Sequence, residues 1–258
     1  MDTGLTGRTA IVPGSTSGLG LAVARSLAAE GASVVLAGRR GDIARAQAAE
    51  LPSAVGVKAD LLDPAGVEAV IQAARALGDG TVDILVLNGG GPPPGTAVDL
   101  DTEAVDQAVA RLLRPHVQLV SAFLPGMRER GWGRIVAIGS SGVQEPIPGL
   151  AASNVGRAAL AGYLKTLASE VAADGVTVNM VLPGRIDTDR VTQLDQGAAE
   201  RTGTPLDEVR RSAEARIPIG RYGRPDEFAA VVTFLASAAA AYVTGEQVRC
   251  DGGAVGAY

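Results

Sequence analysis

The stretch GLAASNVGRAALAGYLKTLASE, residues 149–170, is mostly small and apolar with helical spacing, and two polar residues interrupt it, Ser153 and Arg157. Four residues apart, they share one face of a helix. A hydroxyl beside a guanidinium can hold an oxygen or an anion. The guanidinium keeps its charge at any working pH and donates several hydrogen bonds, but it cannot act as a base. The plain alternative is an exposed polar pair on a half-buried helix. A second stretch, AIVPGSTSGLGLAVARSLAAEG at 10–31, runs from strand through turn into helix, with Gly14, Gly18 and Gly20 at the turn. Glycines there let the backbone approach a pyrophosphate, and the helix N-terminus offers amides and the positive end of its dipole.

Both stretches need a scaffold. The chain has 258 residues, 47% hydrophobic and 20% charged, which suits one well-buried domain, although length alone would also allow two. A net charge of −5 argues against a nucleic-acid surface. The basic residues are nearly all arginine, with Lys58 and Lys165 the only lysines. Cys250 is the sole cysteine, so no intrachain disulfide is possible and a reducing cytoplasm is the expected compartment. No cleavable signal pattern precedes the first strand-like segment. The uncharged run FAAVVTFLASAAAAYVTG (228–245) nears membrane-spanning length. Thr233, Ser237 and the closing Thr-Gly favour a buried helix followed by a loop, so no membrane span is expected. No metal site is expected either.

Apolar, β-rich runs alternate with helical patterns. TAIVP (9–13), SVVLA (33–37), AVGVK (54–58), DILVL (83–87), RIVAIG (134–139), TVNMVL (177–182) and EQVRC (246–250) read as strands. Amphipathic stretches at 18–30, 41–51, 64–77, 102–130 and 150–173 read as helices. Continuous rather than alternating apolar strands imply burial on both faces, as in a parallel sheet with helices on each side. The polar stretch 187–216 reads as one long irregular insertion after a strand, where such folds place substrate-covering lids.

The glycine spacing Gly-x-x-x-Gly-x-Gly, with LNGG (87–90), GRIVAIGSSG (133–142), VTVNMVLPGRIDT (176–188), GRYGRPDEFAAVVTFLAS and TGEQVRCDGG, resembles the short-chain dehydrogenase/reductase family along nearly the whole chain. NGGGPPPG and SNVGRAAL resemble its 3-oxoacyl-[acyl-carrier-protein] reductase-like subgroup. The resemblance implies an α/β fold over 1–258, a single Rossmann-type, doubly wound sheet of about seven parallel strands, with a substrate lid around 187–216. It implies a nicotinamide dinucleotide on Gly14, Ser15, Thr16, Ser17, Gly18, Leu19 and Gly20, with Asp60 and Leu61 at the adenine. Asn88, Gly89 and Gly90 follow the fourth strand, and Pro183, Gly184, Ile186 and Thr188 surround the nicotinamide. The family's acidic residue at the end of the second strand is here Gly38, followed by Arg39 and Arg40. Arginine pairs a phosphate bidentately, so NADP(H) is favoured over NAD(H). Pro13 stands where the family usually has threonine, and losing that backbone donor and hydroxyl should loosen the loop. The family also implies a small-molecule carbonyl substrate and a homotetramer, or a homodimer, through 102–130, 150–173 and the C-terminal segment.

The family's proton-transfer residues are mostly replaced. Its serine is Ser140, but the tyrosine position is Ser153, the lysine position Arg157 and the asparagine position Leu112. No Tyr-x-x-x-Lys occurs anywhere. A serine hydroxyl is no competent acid near neutral pH without an activating partner. Arg157 can still hold the ribose or a substrate anion. Replacement acids are few. Glu145, in the substrate-side loop SSGVQEPIPG, would have a raised pKa if partly buried. His116, the only histidine, is expected one turn beyond Leu112 on the same helix. Arg185 is a candidate for meeting an acidic substrate, and Asn154 for polar lining. Three readings follow: an NADP(H)-dependent reductase of a ketone or 3-oxoacyl compound with a non-standard proton source; a non-redox lyase, dehydratase, isomerase or cyclase on the same scaffold; or a non-catalytic NADP(H)-binding protein.

Overall fold

The computed structural model describes residues 2–256. Seven strands form one parallel sheet: β1 (Thr9–Pro13), β2 (Ser33–Gly38), β3 (Ala54–Lys58), β4 (Ile84–Leu87), β5 (Gly133–Ile138), β6 (Val176–Pro183) and β7 (Gln247–Cys250). Their order across the sheet is β3-β2-β1-β4-β5-β6-β7. All seven lie on runs that read as strands from sequence.

The helices are α1 (Gly18–Ala29), α2 (Gly41–Ala49), α3 (Pro64–Arg75), α4 (Thr102–Leu112), α5 (Arg114–Glu129), α6 (Ala151–Val171), α7 (Asp189–Thr202), α8 (Leu206–Glu214) and α9 (Pro225–Ala236). Strand residues alternate between two cores. Ala10 and Val12 of β1 join Val23 and Leu27 of α1 and Phe228 and Val232 of α9. Ile11 faces the other way, onto a core with Val70 of α3, Leu119 of α5 and Leu164 of α6. Helices on both faces of a parallel sheet explain why the strands are continuously apolar.

Two expectations are corrected. The stretch 102–130 is two helices that break at Leu113, whose φ of −121° and ψ of −56° are not helical. Pro115 has no amide to continue the first helix, and its ring clashes with the preceding turn; at the start of α5 that missing amide costs nothing. The stretch 187–216 is mostly helical, as α7 and α8. It looked irregular because these helices bury little: Asp195 alone on α7 and Ala213 alone on α8. The run 228–245 is α9 and its following loop, and among the described residues no helix is long and apolar enough to cross a membrane.

Strand order reverses between β1 and β4. Chain leaving the carboxyl ends of these two neighbours diverges, and such a crevice is where open α/β sheets bind ligands. The loops 14–17 and 88–95 therefore meet there.

Candidate active site

The first half of the site is a cradle at that crevice. Gly14 has φ of +63°, and a Cβ on it would stand 2.8 Å from Asn88 Nδ2. A Cβ on Gly20 would collide with the Gly14 carbonyl oxygen. Asn88 Nδ2 donates to the carbonyls of Pro13 (2.9 Å) and Gly14 (3.3 Å), tying the loop after β4 to the loop after β1. Ser15 is fully buried; its hydroxyl donates to the Val12 carbonyl at 2.5 Å and accepts from Ala37 N at 3.1 Å. These bonds hold the loop on both flanks of Pro13. Ser15 shapes the turn with both its hydroxyl and its amide, which donates to Ala37 O. The first-turn amides of α1, from Gly18, Leu19 and Gly20, have no intrahelical acceptors, and Ser17 makes no side-chain cap bond. They remain for an anion.

Arg40 reaches over this loop. Its Nη2 donates to Thr16 Oγ1 (3.0 Å) and Ser17 Oγ (2.9 Å). A Cβ on Gly38 would stand 2.7 Å from Thr16 Cγ2, so any side chain at the end of β2 would push this cluster apart. Arg39 is exposed beside it, and Lys58 at the end of β3 packs against Gly41. Asp60 Oδ1 accepts from Leu62 N at 3.1 Å and lies half-buried, as does Leu61. Gly89 lies between Leu61 and His116, and a Cβ on Gly90 would meet nothing within 4 Å.

The second half is built by β5, β6 and α6. Ser140 follows β5; its Oγ accepts from Gly142 N at 3.1 Å, which leaves its own hydrogen free. Arg157 Nε donates to Ser153 Oγ at 3.3 Å, and Nη1 donates to the carbonyls of Ile138 and Gly139, each at 2.9 Å. The predicted pair is thus a bonded pair, docked on the end of β5. Burial first, and the charge of Arg190 second, lower the Arg157 pKa to about 10, which leaves it a cation at neutral pH. Leu112 is 2% exposed and packs against Gly156, so no polar group occupies that position.

The other candidates fall away from chemistry. Glu145 is exposed, and the burial that an acid role needs is missing because its loop turns it to solvent. His116 lies on α5, beyond the helix break, and is 2% exposed with Nδ1 unpartnered. Burial first, and Arg157 second, pull its pKa down to about 4, so it is neutral at pH 7. Asn154 staples the loop by accepting from Ile147 N (3.4 Å) and donating to Ile147 O (3.0 Å). Arg185 donates to the buried Asp195 and to Tyr222 Oη, so it anchors α7. Pro183 and Gly184 end β6, Ile186 is buried against Gly223, and Thr188 caps α7, accepting from Val191 N at 3.4 Å.

One element had no local signal. Gly95 N donates to Gly149 O (2.8 Å) and Ala151 N donates to Gly95 O (3.1 Å), so the proline-rich loop after β4 is pinned to the start of α6 beside Ser153. Partners more than fifty residues apart leave no periodicity to read.

These features define a dinucleotide-binding α/β fold with a polar site beside the cradle, and the chain belongs to the short-chain dehydrogenase/reductase family. A family model described as enoyl-(acyl carrier protein) reductase matches residues 14–255. The chain is 36% identical over 248 residues to the 3-oxoacyl-[acyl-carrier-protein] reductase FabG of Escherichia coli, covering 96% of this chain and 97% of that one. It is 35% identical over 255 residues to dehydrogenase/reductase SDR family member 4 of Oryctolagus cuniculus, covering 97% and 94%. Its structure is similar to L-sorbose reductase from Gluconobacter frateurii complexed with NADPH and L-sorbose, with a TM-score of 0.93, 33% identity and full coverage of both chains.

Proposed function

We propose that the protein is an NADP(H)-dependent reductase of a ketone or 3-oxoacyl-type carbonyl that works without a tyrosine acid. The observation that carries this reading is the intact cradle: Gly14 and Gly20 pack so closely against Asn88 and the Gly14 carbonyl that no Cβ fits, and this tight turn leaves the first amides of α1 uncapped. The NADPH in the similar L-sorbose reductase structure supports it. The free amides of Gly18, Leu19 and Gly20 receive the pyrophosphate, with Ser15 and Ser17 shaping the turn. Arg39 and Arg40, with Thr16, receive the 2′-phosphate, which selects NADP(H) over NAD(H). Asp60 and Leu61 flank the adenine, Asn88 to Gly90 and Arg157 the ribose, and Pro183, Gly184, Ile186 and Thr188 the nicotinamide.

Bound NADPH supplies a hydride. Ser140 donates its free hydrogen to the substrate carbonyl. Arg157 adds a fixed positive charge that favours negative charge on that oxygen, and it needs no reorganisation to do so. Neither group releases a proton at neutral pH, so the proton comes from water admitted where Ser153 replaces a larger side chain. Residues 187–216 cover the pocket, and the chain acts as a single-domain homotetramer or homodimer in the cytoplasm. The charge of Arg157 beside the shortened Ser153 also suits a non-redox enzyme on this scaffold, for which turnover would leave NADPH unchanged.

Calorimetric titration tests the reading. Micromolar NADPH affinity, about −8 kcal/mol, with NADH at least tenfold weaker and carbonyl-dependent NADPH oxidation, is the expected result. Failure of both nucleotides to bind removes the reading.

A further inference from the structure

Arg157 has five N–H donors, and the fold uses three, two on Nη1 and one on Nε. The two on Nη2 have no acceptor among the described residues. Nη2 is not sealed in; it reaches open space on the side of Gly91, where a Cβ would stand 4.0 Å away. The groups around it are also donors. Ser153 accepts from Arg157, which leaves its own hydrogen to give, and Ser140 is in the same position toward Gly142. Among the described residues no carboxylate pairs with Arg157, and Glu145 faces solvent. Arg190 brings a second positive charge to bear on the same point.

A largely enclosed cation is costly unless opposite charge meets it. The Ile138 and Gly139 carbonyls are dipoles, and they offset part of the desolvation without cancelling the charge. In the reductase reading, on which this inference rests, the dinucleotide's phosphates lie at the N-terminus of α1 and its ribose brings only neutral hydroxyls to Arg157. The compensating charge is then left to the substrate.

We infer that the substrate is a free oxo acid whose carboxylate is held by Arg157 Nη2 and the Ser153 hydroxyl, while Ser140 faces the reacting carbonyl. The donors already spent also say how it binds. A fork-to-fork pair through two guanidinium nitrogens is closed, because Nη1 and Nε are committed to the chain. The carboxylate meets Nη2 end-on, and Ser153 supplies the second bond. A neutral ester or thioester offers the same reacting carbonyl without the charge.

Acetoacetate and methyl acetoacetate separate the two cases. Each is titrated calorimetrically into protein saturated with NADP+ at low ionic strength. The acid should bind at least about tenfold more tightly than the ester, and its affinity should fall with added salt while the ester's does not. In Arg157→Gln the preference should shrink below about threefold. Ser153→Ala keeps the cation in place and should weaken the acid alone, which covers the case in which Arg157→Gln does not fold. Equal affinities, no saturable binding of the acid, or a preference that survives both substitutions would overturn the inference. Failure of the reductase reading shows separately, as NADP+ that does not load.

Discussion

Leu112 rests on the backbone of Gly156: a Cβ at 156 would stand 2.8 Å from Leu112 Cδ1 and 3.0 Å from the Ala108 carbonyl oxygen. α4 and α6 therefore touch next to Arg157 in the chain, and an apolar contact replaces polar support beneath the site. Gly156→Ala should lower stability by about 1–3 kcal/mol through overpacking, and Leu112→Ala in that background should recover part of it. Urea unfolding of the single and double variants measures both.

Reinstalling the missing groups tests the positional assignment. Leu112→Asn with Ser153→Tyr and Arg157→Lys should create reductase activity on 3-oxoacyl compounds, read as NADPH oxidation. A folded, nucleotide-binding triple variant with no gain would count against the assignment of Ser153 and Arg157.

Arg40 bridges Thr16 and Ser17 over the mouth of the cradle. Arg40→Ala should weaken NADPH binding about tenfold or more, or about 1.4 kcal/mol, and leave NADH unchanged. Competing titrations of the two nucleotides distinguish this from general damage, which would weaken both.

His116 makes stability depend on pH. Its pKa is about 4 in the folded protein against 6.5 when exposed, first because of burial and second because of Arg157. As pH falls the unfolded chain takes the proton first. The stabilisation is complete above pH 6.5 and is lost progressively toward pH 4, by about 3 kcal/mol. Glu227, held at a pKa of about 2 chiefly by its hydrogen bond from Arg221 against an ordinary 4.5, begins to lose its own contribution only near pH 4.5, at the foot of that window. His116→Leu should flatten the stability profile between pH 7 and pH 4, as followed by urea unfolding.

Asp195 is 1% exposed, pairs with Arg185 and accepts from Tyr222 Oη at 3.0 Å. It is the one fully buried residue of α7, beside the partly buried Val191 that packs against the cluster around Tyr222. Asp195→Ala should expose the arginines of 187–216 to trypsin, with cleavage there several times faster while the sheet stays protected. Unchanged cleavage would mean that the Arg210–Asp187 pair at 2.9 Å suffices to hold the segment.

Local sequence was enough for the strands and for the cradle. A parallel sheet covered on both faces needs continuous apolar runs, and DILVL or RIVAIG can do little else. The glycines at 14 and 20 are equally local in their signal, because that turn tolerates no Cβ. Pro115 carried a local signal for the break at Leu113, although 102–130 reads as one helical stretch, whereas α7 and α8 hid because their composition is strongly polar and only a few apolar residues such as Val191, Val209 and Ala213 mark their inner faces.

The residue types at Ser153 and Arg157, their shared helix face and the absence of any Tyr-x-x-x-Lys follow from the sequence by itself. What those groups face depends on atoms far away in the chain. The end of β5 brings two carbonyls under Arg157, α5 buries His116 until it is neutral, and the loop before α6 turns Glu145 outward. Charge, burial and the number of free donors are set by through-space neighbours, and only tertiary packing decides those.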